Sequence, residues 1–218
     1  MKKIVTAYLG TGEERAAIRR LAERDEVEVI AVALDVSGGH GLRELHDEAR
    51  AAGAVRCHVF DAADEFARAC LVPAIHVSHE RSDDVVDAAA RKFIARKLLE
   101  VATLEGTADV DVGERTTLAG RSRRMSGSTP DRAARLEIEF ENGVPVSVNA
   151  IPMSVAEVMD SLATIAAAHT LTGPRAALRV LQAAHGELSS TGPATGFARV
   201  ELCAGRIDAT WKPDDTTI

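Results

Sequence analysis

The first apolar run of the chain, from Ile4 to Leu9, passes directly into a glycine-containing turn and then into a helical pattern of apolar residues. This order predicts a buried strand, a tight turn at Gly10 and a helix that begins near residue 13. The N–H groups at the start of a helix are unpaired and carry partial positive charge, so such a turn is suited to phosphate. Glu13 and Glu14 stand in the first helical turn, however, and carboxylates repel phosphate. The stretch therefore combines the backbone pattern of a nucleotide-binding turn with side chains that disfavour a nucleotide.

The first half of the chain continues this alternation of strands and helices. The predicted strands cover 3–9, 27–36, 55–60 and 108–113, and the predicted helices cover 13–24, 42–52, 61–70 and 85–104. We expect Pro73 to help end the third helix. Alternating strands and helices are typical of a parallel sheet with right-handed crossovers. The sequence therefore predicts an α/β domain over 1–113.

The second half has a different character. Residues 114–133 are polar and rich in arginine, which predicts a linker or lid, and a smaller α+β domain is expected over 134–218. Asn142-Gly143 between two alternating strands predicts a hairpin over 134–149. Ser154 and Glu157 form a capping-box pattern that begins a helix running to His169, and a second helix is predicted over 176–188. A final hairpin turns at Ala204-Gly205.

Composition limits the classes of function. The net charge of −7 argues against a nucleic-acid or anionic-membrane binder, and no apolar run reaches the ~20 residues of a membrane span. Met-Lys-Lys leads directly into the first strand, so we expect a cytoplasmic protein. The three cysteines form no C-x-x-C pair and are expected to be reduced thiols. The histidine spacings match no zinc pattern, so no metal site is predicted.

Taken together, these stretches resemble the argininosuccinate synthase family. The clearest match is Leu136-Glu-Ile-Glu-Phe-Glu-Asn-Gly-Val-Pro-Val146, which is similar to the family's L-E-I-E-F-x-x-G-V-P-V. The other matching stretches are 7–15, 31–42, 52–54, 60–66, 73–75, 90–100, 118–122, 168–169 and the last hairpin. The resemblance implies that the first half is a nucleotide-binding-like domain of the adenine nucleotide α-hydrolase type. It also implies the family's reaction, in which ATP and Mg²⁺ drive the joining of citrulline to aspartate.

The resemblance also gives candidate ligand-binding positions and shows where the chain departs from the family. The candidates are Tyr8, Gly10, Thr11, Arg15, Asp35, Arg91 and Ser122. In the turn that the family writes S-G-G-L-D-T-S, Leu9 replaces the first serine, Thr11 the second glycine and Arg15 the last serine. After residue 113 the family's glycine-rich T-G-K-G-N-D-Q segment is missing, and a substrate segment is missing after His169. We expect no ATP or Mg²⁺ cofactor and assign no catalytic residue.

Several functions stay open. The first is a repurposed relative that binds or converts a small polar, amino-acid-like or carboxylate ligand beyond the carboxyl ends of the parallel strands. The second is a non-catalytic pseudo-enzyme or interaction subunit, and the third is a genuine ATP-dependent argininosuccinate synthase. At the turn, Thr11 and Arg15 either rebuild an anion site or belong to an ordinary strand-to-helix connection. In each case we expect a homodimer or higher homo-oligomer that packs through the alanine-rich helices within 154–188.

Overall fold

The computed structural model describes residues 1–36, 41–112, 133–171, 175–189 and 194–212. The chain divides into two compact units. The first combines residues 1–66 with the described residues from 87 to 112, and the second combines residues 67–86 with the described residues from 133 onward. The linker expected at 114–133 lies almost wholly outside the described residues, as does the boundary at residue 113.

The first unit is built on a parallel sheet, as the sequence predicted. Its strands are β1 (Lys2–Tyr8), β2 (Val27–Asp35), β3 (Arg56–Asp61) and β4 (Val110–Asp111). They lie in the order β3-β2-β1-β4, and every pairing is parallel. The carboxyl ends of all four strands therefore meet at one edge of the sheet.

Helices pack against this sheet. On one face, Tyr8, Ala31 and Ala33 pack with buried residues of α1 (Gly12–Ala22) and α2 (Leu42–Ala51). Phe60 of β3 is contacted by the long helix α5 (His79–Glu105), in its part within this unit, where Lys97 Nζ is 5.6 Å from the centre of the Phe60 ring. The α/β class predicted for the first half is confirmed.

The segment between β3 and α5 corrects two predictions. The helix predicted over 61–70 is a short α3 (Ala63–Phe66) followed by a π-helical turn (Ala67–Leu71) and by α4 (Val72–Ile75). Pro73 does not end a helix; it lies in the first turn of α4, where the N–H that proline lacks would be unpaired anyway. Helix α5 begins at His79, which is six residues before the start predicted at 85.

The second unit is an antiparallel sheet with two helices. Strands β5 (Ala134–Glu141), β6 (Val144–Val148), β7 (Ile151–Pro152), β8 (Gly196–Cys203) and β9 (Arg206–Lys212) lie in the order β7-β6-β5-β8-β9. The helices are α6 (Val155–Ala168) and α7 (Ala176–Leu188). Both predicted hairpins are present, and so is the capping box of Ser154 and Glu157 at the start of α6. The smaller α+β domain is therefore confirmed as a fold.

The core of the second unit lies between its sheet and its helices. Leu136, Ile138 and Phe140 on β5 are buried together with Leu162 on α6 and Leu181 on α7. Ala176, Ala177 and Ala184 of α7 are buried within the same unit. Among the described residues, no helix is long and apolar enough to cross a membrane.

Candidate functional site

The turn between β1 and α1 is closed by a capping box. Gly10 has a positive φ of 87°, and Thr11 is the N-cap residue of α1 with an extended backbone. The Thr11 hydroxyl accepts a hydrogen bond from the Glu14 N–H at 3.3 Å. In return, Glu14 Oε2 accepts from the Thr11 N–H at 3.3 Å. This exchange satisfies two of the N–H groups that a helix start leaves unpaired.

The Glu14 carboxylate has a further partner in the same turn. Its Oε2 atom also accepts a hydrogen bond from the Leu9 N–H at 2.6 Å. The carboxylate therefore lies against the backbone N–H groups of the turn, which is where an anion bound by those groups would lie. Burial raises the pKa of Glu14, and the hydrogen bonds from Leu9 and Thr11 oppose that shift.

Tyr8 and Arg15 belong to a second network, on the face of the sheet under α1 and α2. The Tyr8 hydroxyl donates a hydrogen bond to Glu48 on α2. Arg15 Nη2 lies 3.0 Å from Glu48 Oε2 and 3.5 Å from the Tyr8 oxygen. Burial and the Glu48 carboxylate raise the pKa of Tyr8 to about 12, although Arg15 acts in the opposite direction. The Arg15 guanidinium is therefore paired with a carboxylate of the chain itself.

Aspartates end the strands on either side of the turn. Asp35 is the last residue of β2 and is buried, and its carbonyl oxygen accepts a hydrogen bond from the Ala62 N–H at 2.9 Å. On the other side of β1, β4 ends at Asp111. In the parallel registers Tyr8 pairs with Ala33, so Asp35 lies two residues beyond the carboxyl end of β1, whereas Asp111 pairs with Thr6 inside that strand.

The remaining two candidates are not joined to this turn. Arg91 is exposed on α5, and within the described ranges no hydrogen bond or ion pair connects it to residues 8–15. Ser122 lies outside the described residues. The structure thus places Gly10 and Thr11 in the β1–α1 turn, and it places Tyr8 and Arg15 in the neighbouring network with Glu48. Asp35 stands at the end of the adjacent strand.

Two residues of the site were not among the candidates from the sequence. Glu14 was recognised only as a charge unfavourable to phosphate, although Thr11-x-x-Glu14 is a capping-box pattern and could have indicated its hydrogen bonds. Glu48 carries no such signal, since it lies on α2, 33 residues after Arg15.

The histidines of the described residues form no metal centre. In that part of the chain, no group of three or more His, Cys, Asp or Glu residues is arranged to hold a metal ion. His46 Nδ1 instead lies 3.0 Å from the neighbouring Asp47 carboxylate, and His76 Nε2 lies 3.0 Å from the Gly143 carbonyl oxygen. His40 lies outside the described residues.

Comparison with known proteins gives one consistent family. A family model described as the arginosuccinate synthase N-terminal HUP domain matches residues 3–120. The chain is 37% identical over 114 residues to an argininosuccinate synthase of Streptococcus thermophilus, and the aligned part covers 51% of this chain and 28% of that protein. It is 35% identical over 163 residues to the argininosuccinate synthase of Streptococcus suis, with coverage of 66% of this chain and 41% of the relative. The matched part therefore spans less than half the length of these relatives.

Proposed function

The chain belongs to the argininosuccinate synthase family, and we propose that it binds a small amino-acid-like ligand without the ATP-dependent ligation expected of that family. The observation that carries this proposal is the position of the Glu14 carboxylate. It accepts hydrogen bonds from the backbone N–H groups of Leu9 and Thr11 in the β1–α1 turn. A phosphate at this turn would have to displace a carboxylate that is already hydrogen-bonded.

The charge of the turn supports the same conclusion. An anion site needs positively charged donors that are not already paired with a carboxylate. Arginine is the strongest such donor for phosphate. Arg15 is the one cationic candidate at this turn, and its guanidinium is paired with Glu48 at 3.0 Å. Glu13 adds a further exposed carboxylate to the first turn of α1. Bringing a triphosphate here would place several negative charges beside Glu13 and Glu14.

The flanking strands favour a ligand that carries a positive group. Asp35 and Asp111 stand at the carboxyl ends of the two strands that pair with β1. In open parallel sheets, small ligands bind beyond this edge. An α-ammonium group is attracted by carboxylates at such an edge, whereas a phosphate is repelled. These charges support an amino-acid-like ligand, and we propose that its ammonium end lies on the side of Asp35, the buried one of the two.

A thermal-shift experiment tests the proposal on the intact chain. Melting temperature is measured with ATP·Mg, citrulline, aspartate and argininosuccinate in turn, and then with a panel of other amino acids. A ligand that binds only the folded state at about 100 times its Kd stabilises by roughly 2.7 kcal/mol. We expect no shift with ATP·Mg and a saturable shift with at least one amino acid. The Streptococcus suis argininosuccinate synthase serves as the positive control for ATP·Mg.

Matched variants locate the binding. Asp35→Asn should abolish the shift produced by the amino acid, because it removes the charge assigned to the ammonium group. Asp25→Asn makes the same change at an exposed position between α1 and β2, and its shift should equal that of the parent chain. Saturable stabilisation by ATP·Mg contradicts the proposal that ATP is not used. No shift with any amino acid contradicts ligand binding and favours a non-catalytic interaction subunit.

A further inference from the structure

Strand β3 forms one edge of the parallel sheet, away from the β1–α1 turn. Within the described residues its strand partner is β2 alone, and its other edge pairs with no strand. β3 is six residues long, Arg56–Asp61, and contains neither proline nor glycine. Such an edge presents backbone N–H and C=O groups that can pair with a strand from another chain.

The amino end of β3 borders a basic groove. A cavity of about 450 Å³ lies there, lined among others by His46 and Arg50 of α2 and by Arg56 and His58 of β3. Glu105 is the acidic member of the lining, and it already contacts Arg56 at 2.6 Å and His58 at 2.9 Å. The groove is thus positively charged on a chain whose net charge is −7. Val55 adds an exposed apolar side chain beside it.

The carboxyl end of β3 has the opposite charge. Asp61, the last residue of the strand, is exposed, and its Oδ1 atom lies 3.5 Å from the Ala63 N–H. Glu65, in the α3 that follows, is already paired with Arg96 at 2.7 Å and Lys97 at 2.8 Å, so the acidic charge of this end rests on Asp61. One edge strand therefore runs from a basic end to an acidic end. This polarity decides which partner the edge can accept.

We propose that β3 pairs with β3 of a second copy of this chain, antiparallel and about a two-fold axis near His58 or Val59. In that arrangement the amino end of each β3 meets the carboxyl end of the other, so the basic groove of one copy faces Asp61 of the second copy. The contact forms twice, because a two-fold interface uses the same surface on both subunits. The two parallel sheets then join into one continuous sheet.

The charge pattern favours a second copy over other occupants. Charged residues on an edge strand normally prevent pairing, because like charges directly opposite each other are destabilising. Antiparallel self-pairing of β3 avoids this conflict, since Arg56 and Asp61 stand at opposite ends of the strand. A partner strand with a single sign of charge would match only one of the two ends. The chain itself carries both complementary halves of the interface.

Sedimentation velocity over a series of protein concentrations tests the proposal. We expect the parent chain to be a dimer that dissociates on dilution. Arg50→Glu and Asp61→Lys should each weaken the dimer by at least about tenfold, because each places like charges across the interface. The double variant Arg50→Glu/Asp61→Lys restores opposite charges in the reverse order and should recover the dimer. Arg20→Glu on the exposed face of α1 is the matched control and should leave the dimer unchanged.

Hydrogen exchange gives a second measurement that needs no variant. The amides of 56–61 in the parent chain should become more protected as the concentration is raised, whereas the amides of β9 should not. A chain that is monomeric at every concentration overturns the proposal. A dimer that neither single variant weakens also overturns it and moves the interface elsewhere, for example to the helices of 154–188. A double variant no more dimeric than the single variants contradicts the antiparallel arrangement.

Discussion

The Glu14 carboxylate accepts a hydrogen bond from the Leu9 N–H at 2.6 Å, across the turn that joins β1 to α1. This bond connects the first turn of α1 back to the end of β1, beyond the reciprocal bonds of the capping box. The turn therefore supplies its own anion. The backbone N–H groups that predicted a phosphate site from the sequence are thus hydrogen-bonded to a side chain of the chain itself.

Replacing Glu14 should therefore cost stability. Glu14→Ala leaves the N–H groups of Leu9 and Thr11 without their acceptor, and we expect the free energy of unfolding to fall by about 1–3 kcal/mol. Glu13→Ala removes an exposed carboxylate from the same helical turn and should cost less than about 1 kcal/mol. Urea denaturation of both variants at neutral pH measures the difference. Equal losses from the two substitutions would show that the carboxylate acts only through the helix dipole.

The network of Tyr8, Glu48 and Arg15 can be observed directly, because Tyr8 is the only tyrosine of the chain. Its pKa of about 12 means that about one molecule in ten carries tyrosinate at pH 11. The tyrosinate absorbance of the folded chain should therefore rise at a higher pH than that of the chain in denaturant, whose tyrosine ionises near pH 10. Glu48→Gln should lower the pKa of Tyr8, and Arg15→Gln should raise it further. A folded parent chain that titrates like the denatured one would contradict the network.

The elements with strong local signals could be predicted from the sequence. Asn142 and Gly143 have φ values of 50° and 77°, as a tight hairpin turn requires, and their residue types indicate this directly. Ser154 and Glu157 likewise specify the start of α6 through contacts three residues apart. Such features depend on residues that are close together in the sequence, so the residue types alone predict them.

Other features depend on contacts between distant residues and could not be predicted. The pairing of Arg15 with Glu48 joins two helices, and the sequence therefore left open whether Arg15 serves an anion site.

Pro73 was expected to end a helix because proline disrupts helix interiors, but the π-helical turn before it makes Pro73 part of a new first turn. Residues 79–84 carry many charges and no clear apolar period, which is why the start of α5 was placed too late.

Glu105 should make stability sensitive to acid. The hydrogen bond with His58, together with the charges of Arg56 and Lys3, holds the pKa of Glu105 below its ordinary value of 4.5. A carboxylate with a lowered folded-state pKa stabilises the fold above its unfolded pKa, and this stability is lost as the pH falls through the folded value. Glu105→Gln should cost about 1–3 kcal/mol at neutral pH and reduce the loss of stability below pH 4.5. Glu100→Gln, at an exposed position on the same helix, should leave that acid dependence unchanged.

His185 should produce a separate loss of stability at mildly acidic pH. It is buried on α7, its ring centre lies 4.7 Å from that of His76, and its Nε2 atom has no hydrogen-bond partner among the described residues. Burial, with a smaller contribution from His76, lowers the pKa of His185 from its ordinary value of 6.5.

The sign of this effect follows from proton binding. The unfolded imidazole binds a proton more readily than the folded one, so stability falls as the pH drops below 6.5 and levels off below the folded-state pKa. The slope from this one group cannot exceed about 1.4 kcal/mol per pH unit. His185→Leu removes the titrating ring, and its stability between pH 7.5 and pH 5 should vary less than that of the parent chain. His79→Leu changes an exposed histidine and should keep the parent's pH dependence. If His185→Leu retains the full pH dependence between those values, the loss of stability comes from another group.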